Sequence, residues 1–530
     1  MATAKTMRTP RKKGRELLAE ALRALKKIQD KHHGVVETGN LKEEHRVALV
    51  GVGFLRPVIK GWYIVGDPSA RDGDSTAWYA AFWAFVSGYL GKRFGKRYCL
   101  NPEASLLLGT GSTTVPRTVV AVTLDGGTSV LSLPINTSLT MYPDQKRVPK
   151  SRTDERGLQI WPVAEALCRV QPQFFIAHPR EAEIALALIR DPSELLVTLL
   201  SGDGMQAAAA RLAGALQFAR RPDEADRIVK AFDQAGYTIK PVNPFTQPEP
   251  TLIPSRERSP YVLRLRSMWA SWRQTVIDNF PTPPGLGADA AGYLAQVEER
   301  YQADAYNSLS IEGYQVTDEL IARVARGDWN PQGNPEAKQD RDVLAARGYY
   351  QAFNAVKASI AKVFQGENAG RIVQRDHHDW YAELFGPAVM AGILKPNQLI
   401  GYRTGPIYIR NSLHAPVPRD AILDSLEALW EMLCDEPHAG VRAVLGHQLF
   451  VFIHPYFDGN GRIGRFLMNT LLASGAYPWT VIRMKRRSDY MAALEEASVR
   501  GNILPLTQLI ATEMAEWSPE RDDGRATWDS

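Results

Sequence analysis

One stretch gathers residue types that could do chemistry together: His454-Pro455-Tyr456-Phe457-Asp458-Gly459-Asn460-Gly461-Arg462-Ile463-Gly464-Arg465. His454 can take a proton near neutral pH and so activate a hydroxyl. Asp458 offers a hard oxygen ligand suited to a magnesium ion between phosphates. Gly459 and Gly461 let the backbone come close to an anion and adopt positive φ. Arg462 and Arg465 supply two planar cations that suit successive phosphates. Taken singly, these residues read as a Gly-Asn-Gly turn with surface arginines and a helix-ending histidine. Taken together they describe a nucleotide-phosphate site.

The flanking residues say what must position them. Val441, Val444, Leu445, Leu449, Phe452 and Ile453 recur at helical spacing, and so do Ile463, Phe466, Leu467, Thr470 and Leu471. The stretch is therefore a short loop between two buried helices. Gly459, Asn460 and Gly461 lie at the start of the second, where unpaired N–H groups and the helix dipole favour an anion. Arg462 and Arg465, three apart, share a face expected to border the apolar stripe without interrupting it.

The stretch resembles the active-site motif of the Fic family, HxFx(D/E)GNGRxxR, with Tyr456 standing where phenylalanine is usual. An aromatic body is kept, and the hydroxyl needs a partner. The resemblance implies a protein adenylyltransferase that moves AMP from ATP to a Tyr, Ser or Thr hydroxyl of a target protein. It makes His454 the base and Asp458 the Mg2+ ligand. Gly459, Asn460, Gly461, Arg462 and Arg465 become the phosphate-binding set. Relatives that phosphorylate instead typically carry lysine where this chain has Gly461.

Two upstream segments extend the resemblance. Ser308-Leu309-Ser310-Ile311-Glu312-Gly313 follows a helical pattern through Tyr293, Val297 and Tyr301, and Gly313 is a natural helix stop. It resembles the family's inhibitory motif (S/T)xxxE(G/N), which here comprises Ser308, Glu312 and Gly313 and precedes the active site, as in the class II arrangement. The resemblance implies that Glu312 pairs with Arg465 and forces ATP into a misaligned pose. In some relatives such a glutamate also assists water in removing AMP, and that alternative stays open. Gly401-Tyr402-Arg403-Thr404-Gly405-Pro406-Ile407-Tyr408-Ile409 alternates as a short β-hairpin does. In the family a hairpin flap here lies over the site, where a strand edge could align a target segment.

At 530 residues with a net charge of +5, the chain has room for several domains and no strongly polar bias. Nine of the Lys and Arg residues fall in 1–30 against three acidic ones, so the remainder is near neutral. Cys99, Cys168 and Cys434 match no metal or disulfide spacing, which fits a reducing cytoplasm. No apolar run spans a membrane, and Leu17 to Leu22 is amphipathic where a secretory signal would be apolar.

Residues 1–70 read as helix, helix and hairpin, a winged-helix pattern, with Asn40 as N-cap of the second helix and Glu43 completing a capping box. Lys42, His45, Arg46, Arg56 and Lys60 could meet DNA phosphates, or the same fold could dock protein. Residues 71–240 read as mixed α/β. Thr118–Thr123 and Ser129–Leu133 read as strands about an Asp125-Gly126-Gly127 turn. The span 15–245 is similar to antitoxins of type IV abortive-infection systems, on Gly53-Phe54-Leu55-Arg56, Gly61-Trp62-Tyr63 and Leu212-Ala213-Gly214-Ala215. Residues 241–258 form a proline-rich linker, 259–517 the mostly α-helical Fic-like domain with its flap, and 518–530 a frayed tail. A second class of function is a DNA-binding, antitoxin-like regulator that uses the Fic-like half as a nucleotide sensor. A homodimer is left open.

Overall fold

The computed structural model describes residues 14–516 apart from 33, 67, 69–75, 203, 253–256, 258, 288, 328–340, 406 and 408. The tail expected at 518–530 and most of the basic N-terminal run lie outside the described residues. The chain divides into two compact units, 1–248 with 406–415, and 249–405 with 416–530. Among the described residues no helix is long and apolar enough to cross a membrane.

The first unit opens with α1 (Gly14–His32), β1 (Val35–Glu37), α2 (Glu43–Val52), β2 (Leu55–Ile59) and β3 (Trp62–Val65). The strands pair in the order β1-β3-β2. Three expectations need correction here. Lys42, not Asn40, is the N-cap of α2, and it makes no side-chain cap bond; the Asn40 side chain instead accepts from the Glu37 N–H. His45 is buried on the α1 side of α2, 4.0 Å from Glu20, and so is not presented to a phosphate. The outer face of α2 carries Glu43, Glu44 and the exposed Val47, and Arg46 lies beside Glu43 and over the Tyr63 ring. A boundary at residue 70 is also absent: Val35, Trp62 and Ile64 share one core with Trp78, Phe82 and Phe85 of α3 (Thr76–Phe94).

Next come β4 (Tyr98–Leu100), α4 (Pro102–Gly109), β5 (Thr118–Thr123), β6 (Ser129–Leu133), β7 (Thr137–Pro143), β8 (Thr153–Glu155) and β9 (Leu158–Ile160). The strands around Asp125-Gly126-Gly127 are not a hairpin. β7 inserts between them, parallel to β5 and antiparallel to β6. The β6–β7 turn is built by Ile135 and Asn136, both at positive φ. Helices α5 (Val163–Arg169), α6 (Pro172–Ala177), α7 (Pro179–Leu188), α8 (Ser193–Ser201), α9 (Gln206–Phe218) and α10 (Pro222–Gln234) complete the unit. The linker expected from residue 241 is in its first part packed structure. Phe245 stacks on Phe218, and Val242 bonds the Ala210 carbonyl. A Cβ on Gly214 would collide with the Val242 main chain, so this glycine admits the segment against α9.

The second unit is helical: α11 (Pro260–Asn279), α12 (Ala290–Glu299), α13 (Tyr301–Ile311), α14 (Asp318–Ala325), α15 (Arg341–Phe364), α16 (Ala369–Met390), α17 (Ile422–Asp435), α18 (Ala439–Ile453), α19 (Asn460–Ala473), α20 (Arg487–Glu495) and α21 (Leu504–Glu516). α18 and α19 are buried almost all round, as helices at the centre of a core must be. Gly464 lets them approach: a Cβ there would stand 3.0 Å from His447 Nδ1 and 3.1 Å from Val451 Cγ2. That contact fixes the distance between the end of α18 and the start of α19.

The hairpin expected at 401–409 is not seen. Among the described residues of this segment there is no strand; Pro406 and Tyr408 lie outside them. Gly401 sits at φ 77° and Arg403 turns inward, with 3% of its surface exposed. The apolar-in, polar-out order that suggested a strand is thus reversed here, with the arginine inside.

Candidate active site

α18 ends at His454, which stands in the left-handed region at φ 55°. Few residues with a side chain adopt that conformation; it costs of order 1 kcal/mol and persists only where surroundings impose it. His454 Nδ1 donates to the Val451 carbonyl at 3.1 Å, which leaves Nε2 as the free base. Burial pushes the imidazolium down to about 4, Arg403 adds to this, and Glu312 and Asp458 partly oppose it. At neutral pH the ring is therefore neutral and able to accept a proton.

Five residues lead from His454 to α19. The Asn460 side chain is turned to the loop itself. Its Oδ1 accepts from Tyr456 N at 2.9 Å and its Nδ2 donates to Tyr456 O at 2.7 Å, so the amide staples the loop shut. Its N–H remains part of the cradle. Gly459 caps α19 at φ 82°, with no side chain satisfying the first turn. The N–H groups of Asn460, Gly461 and Arg462 thus have no helical acceptor and face the end of the dipole. Asp458 Oδ1 accepts from Gly459 N at 2.6 Å and lies 3.2 Å from Arg462 Nη2.

The face that carries the two arginines does not merely border the apolar stripe; both are buried inside. Arg462 is 1% exposed, between the rings of Tyr314 and Phe385, each 5.1 Å from its guanidinium carbon. Its Nε and Nη2 have no hydrogen-bond partner. Arg465 is 3% exposed, and its Nε donates to Ser308 Oγ at 2.9 Å. Its Nη2 donates to Ser308 O at 3.1 Å and to Glu312 Oε1 at 2.7 Å, and Nη1 is buried without a partner. A cavity of about 500 Å3 with mainly apolar walls borders Tyr314, Phe385, Asp458 and Arg462.

Ser308 and Glu312 come from α13. Gly313, at φ 88°, ends that helix: its N–H bonds Ser310 O, and Tyr314 N–H bonds Leu309 O. Glu312 then overhangs the start of α19. A Cβ on Gly461 would overlap Glu312 Oε1 and lie 3.2 Å from Arg465 Nη1. The carboxylate therefore lies over the N–H cradle and is bonded to one of the cradle's cations.

These residues fit a phosphate chain: Arg462 Nε and Arg465 Nη1 buried without partners, N–H groups with no helical acceptor, and a glycine where any side chain would fill the space. They also fit a lightly held metal. Asp458 is exposed, and among the described residues no group of three His, Cys, Asp or Glu stands ready to hold a metal ion. A magnesium ion there would take most of its ligands from phosphates and water.

Tyr456, the departure from the family motif, stacks on Tyr381 at 3.8 Å and shares a hydrogen bond with His378 Nδ1 at 3.2 Å. His378 Nε2 meets Tyr402 OH at 3.1 Å, and that hydroxyl meets His377 Nε2 at 3.0 Å. Sequence reasoning passed over Tyr314, Phe385, His378 and Arg403. Tyr314 was findable as an aromatic residue just past the helix stop. Arg403 lay in a segment that read as an alternating strand.

Residues 376–472 match the sequence profile of the Fic/DOC family. A protein adenylyltransferase Fic of Nematostella vectensis is 25% identical over 220 residues, 41% of this chain and 47% of that protein. One of Drosophila melanogaster is 36% identical over 115 residues, 21% of this chain and 23% of that protein. The chain thus spans less than half the length of these relatives. A solved structure of Fic-1 (residues 134–508) from C. elegans aligns with 66% of this chain and 94% of its own, at 19% identity and a TM-score of 0.35.

Proposed function

We propose that the chain transfers AMP from ATP to a Tyr, Ser or Thr hydroxyl of a target protein and that Glu312 holds this activity back. The observation that carries the reading is the position of Glu312, hydrogen-bonded to Arg465 Nη2 at 2.7 Å and lying over Gly461.

With Glu312 withdrawn, the N–H groups of 460–462 and the two guanidinium groups receive the β- and γ-phosphates and stabilise charge on the departing pyrophosphate. Asp458 would hold a magnesium ion, which supplies further neutralisation of that charge. His454 Nε2 takes the proton from the target hydroxyl. The hydroxyl oxygen bonds the α-phosphorus while the bond from that phosphorus to the β-bridging oxygen breaks. The products are AMP-protein and pyrophosphate. With Glu312 in place Arg465 is already engaged, and the α-phosphorus is held off line. Misalignment on this scale costs about 100-fold in rate.

The test is labelling with ATP that carries a radioactive α-phosphate. Glu312→Gly is expected to label protein about 100-fold more strongly than the parent, and His454→Ala in the Glu312→Gly background to abolish most of that. Equal labelling by all three proteins would end the reading.

A second reading rests on the same overhang, which puts the Glu312 carboxylate over Gly461 at the start of α19. A carboxylate over that turn can orient water, whose oxygen would attack the phosphorus of AMP-protein and free AMP and the hydroxyl. Under this reading Glu312→Gly loses hydrolysis of a pre-modified target.

A further inference from the structure

The end of α18 is held by a residue outside the motif. Arg403 Nε donates to His454 O at 2.7 Å, and Nη2 donates to Ile453 O at 3.4 Å and to Val417 O. Nη1 donates to Gly405 O at 3.2 Å, and the Arg403 N–H donates to Pro455 O at 2.9 Å. The carbonyls of Ile453 and His454 belong to the last turn of a helix, where no helical N–H remains to satisfy them and a cation suits the dipole. The neighbouring Tyr402 is fastened through its hydroxyl to His377 and His378. One residue therefore bridges three successive carbonyl-bearing positions, 453 to 455, on either side of the base.

We propose that Arg403 is a positioning residue of the transfer reaction, which sets His454 in its left-handed conformation so that Nε2 faces the reacting hydroxyl. This rests on the transfer reading above. The guanidinium is suited to the task because its five donors lie in a fixed fork, whereas an ammonium cannot span carbonyls on several sides at once. Its acceptors here are main-chain oxygens, so it constrains the backbone itself. The strained φ at His454 is the conformation such a constraint would impose.

The test uses the full chain with Arg403→Lys and Arg403→Gln, each in the Glu312→Gly background. AMP transfer is measured against ATP concentration, and amide hydrogen exchange is followed over residues 450–456. A kcat about 100-fold lower is expected for both variants, with KM for ATP within about threefold. The His454 and Tyr456 amides, which bond Phe450 O and Asn460 Oδ1, should exchange faster. A kcat within about twofold of the Glu312→Gly parent, or a loss that appears wholly in KM, would overturn the proposal. If Arg403→Gln does not fold, Arg403→Lys, which keeps charge and length, decides by the same readings. Should Glu312→Gly itself transfer no AMP, the function reading falls. The positioning claim is then judged by exchange alone, and unchanged protection at His454 and Tyr456 rejects it.

Discussion

The loop from His454 to Gly461 and the segment from Tyr402 to Gly405 hold one site in opposite ways. The loop shows its chemistry in its residue types: an imidazole, a carboxylate and glycines, with two arginines just beyond, in the order the proposed phosphate site needs. The segment presents none. Its arginine bonds only main-chain carbonyls in the contacts described above, and its tyrosine bonds two histidines. Groups able to react can be named from side chains, while contacts such as those of Arg403 act on the backbone, which every residue shares.

Each region can be perturbed alone. The largest effect is expected within the loop. Gly461→Ala would place a methyl group 3.2 Å from Arg465 Nη1, in the space that Glu312 Oε1 fills in the parent. Losing contacts there costs about 1–3 kcal/mol, roughly 10- to 100-fold in ATP affinity by calorimetry in the Glu312→Gly background. Undiminished affinity would mean that phosphates do not sit on that turn.

Asn460→Ala comes next. It leaves the buried N–H and C=O of Tyr456 without their side-chain partners, worth about 2 kcal/mol in urea denaturation. If Asn460 acted mainly as a ligand, stability would hold and only ATP affinity would fall.

The pH profile sharpens the link between the two regions. His454 is pushed down to about 4, and it must be neutral to act as base. Protonation removes activity, and Glu312 raises the imidazole's affinity for protons, so kcat/KM of the Glu312→Gly protein should hold as pH falls to about 5 and decline only below about 4. Stability has its own acid limb. His447, buried beside Tyr490, is also held down to about 4. The unfolded chain binds that proton from about pH 6.5, so the contribution of neutral His447 is present above that pH and is lost as pH falls towards 4.

The smallest change is expected from Tyr456→Phe. The ring stack on Tyr381 stays and only the bond to His378 is lost, about 1 kcal/mol with kcat unaltered.

Much of the site is legible in the residues themselves. The helices around the motif follow from apolar residues at helical spacing, and the cradle from glycines at a helix start. The end of α13 follows from Gly313. What stays hidden depends on distant partners. Arg462 reads as a surface cation until Tyr314 and Phe385 enclose it. The Asn460 side chain has no role in the sequence until its bonds to Tyr456 are seen. β5 and β6 read as neighbours because nothing local shows that β7 prefers the gap. The proline-rich stretch after 240 reads as a tether because Gly214, which admits it, lies on another helix.

Glu312 and Tyr314 flank a single glycine, one carboxylate touching Arg465 and one ring facing Arg462. Lifting the end of α13 therefore uncovers both cations in the same stroke. Under the proposed inhibition, a signal that moves this corner would therefore act on both cations together, and neither could be released alone.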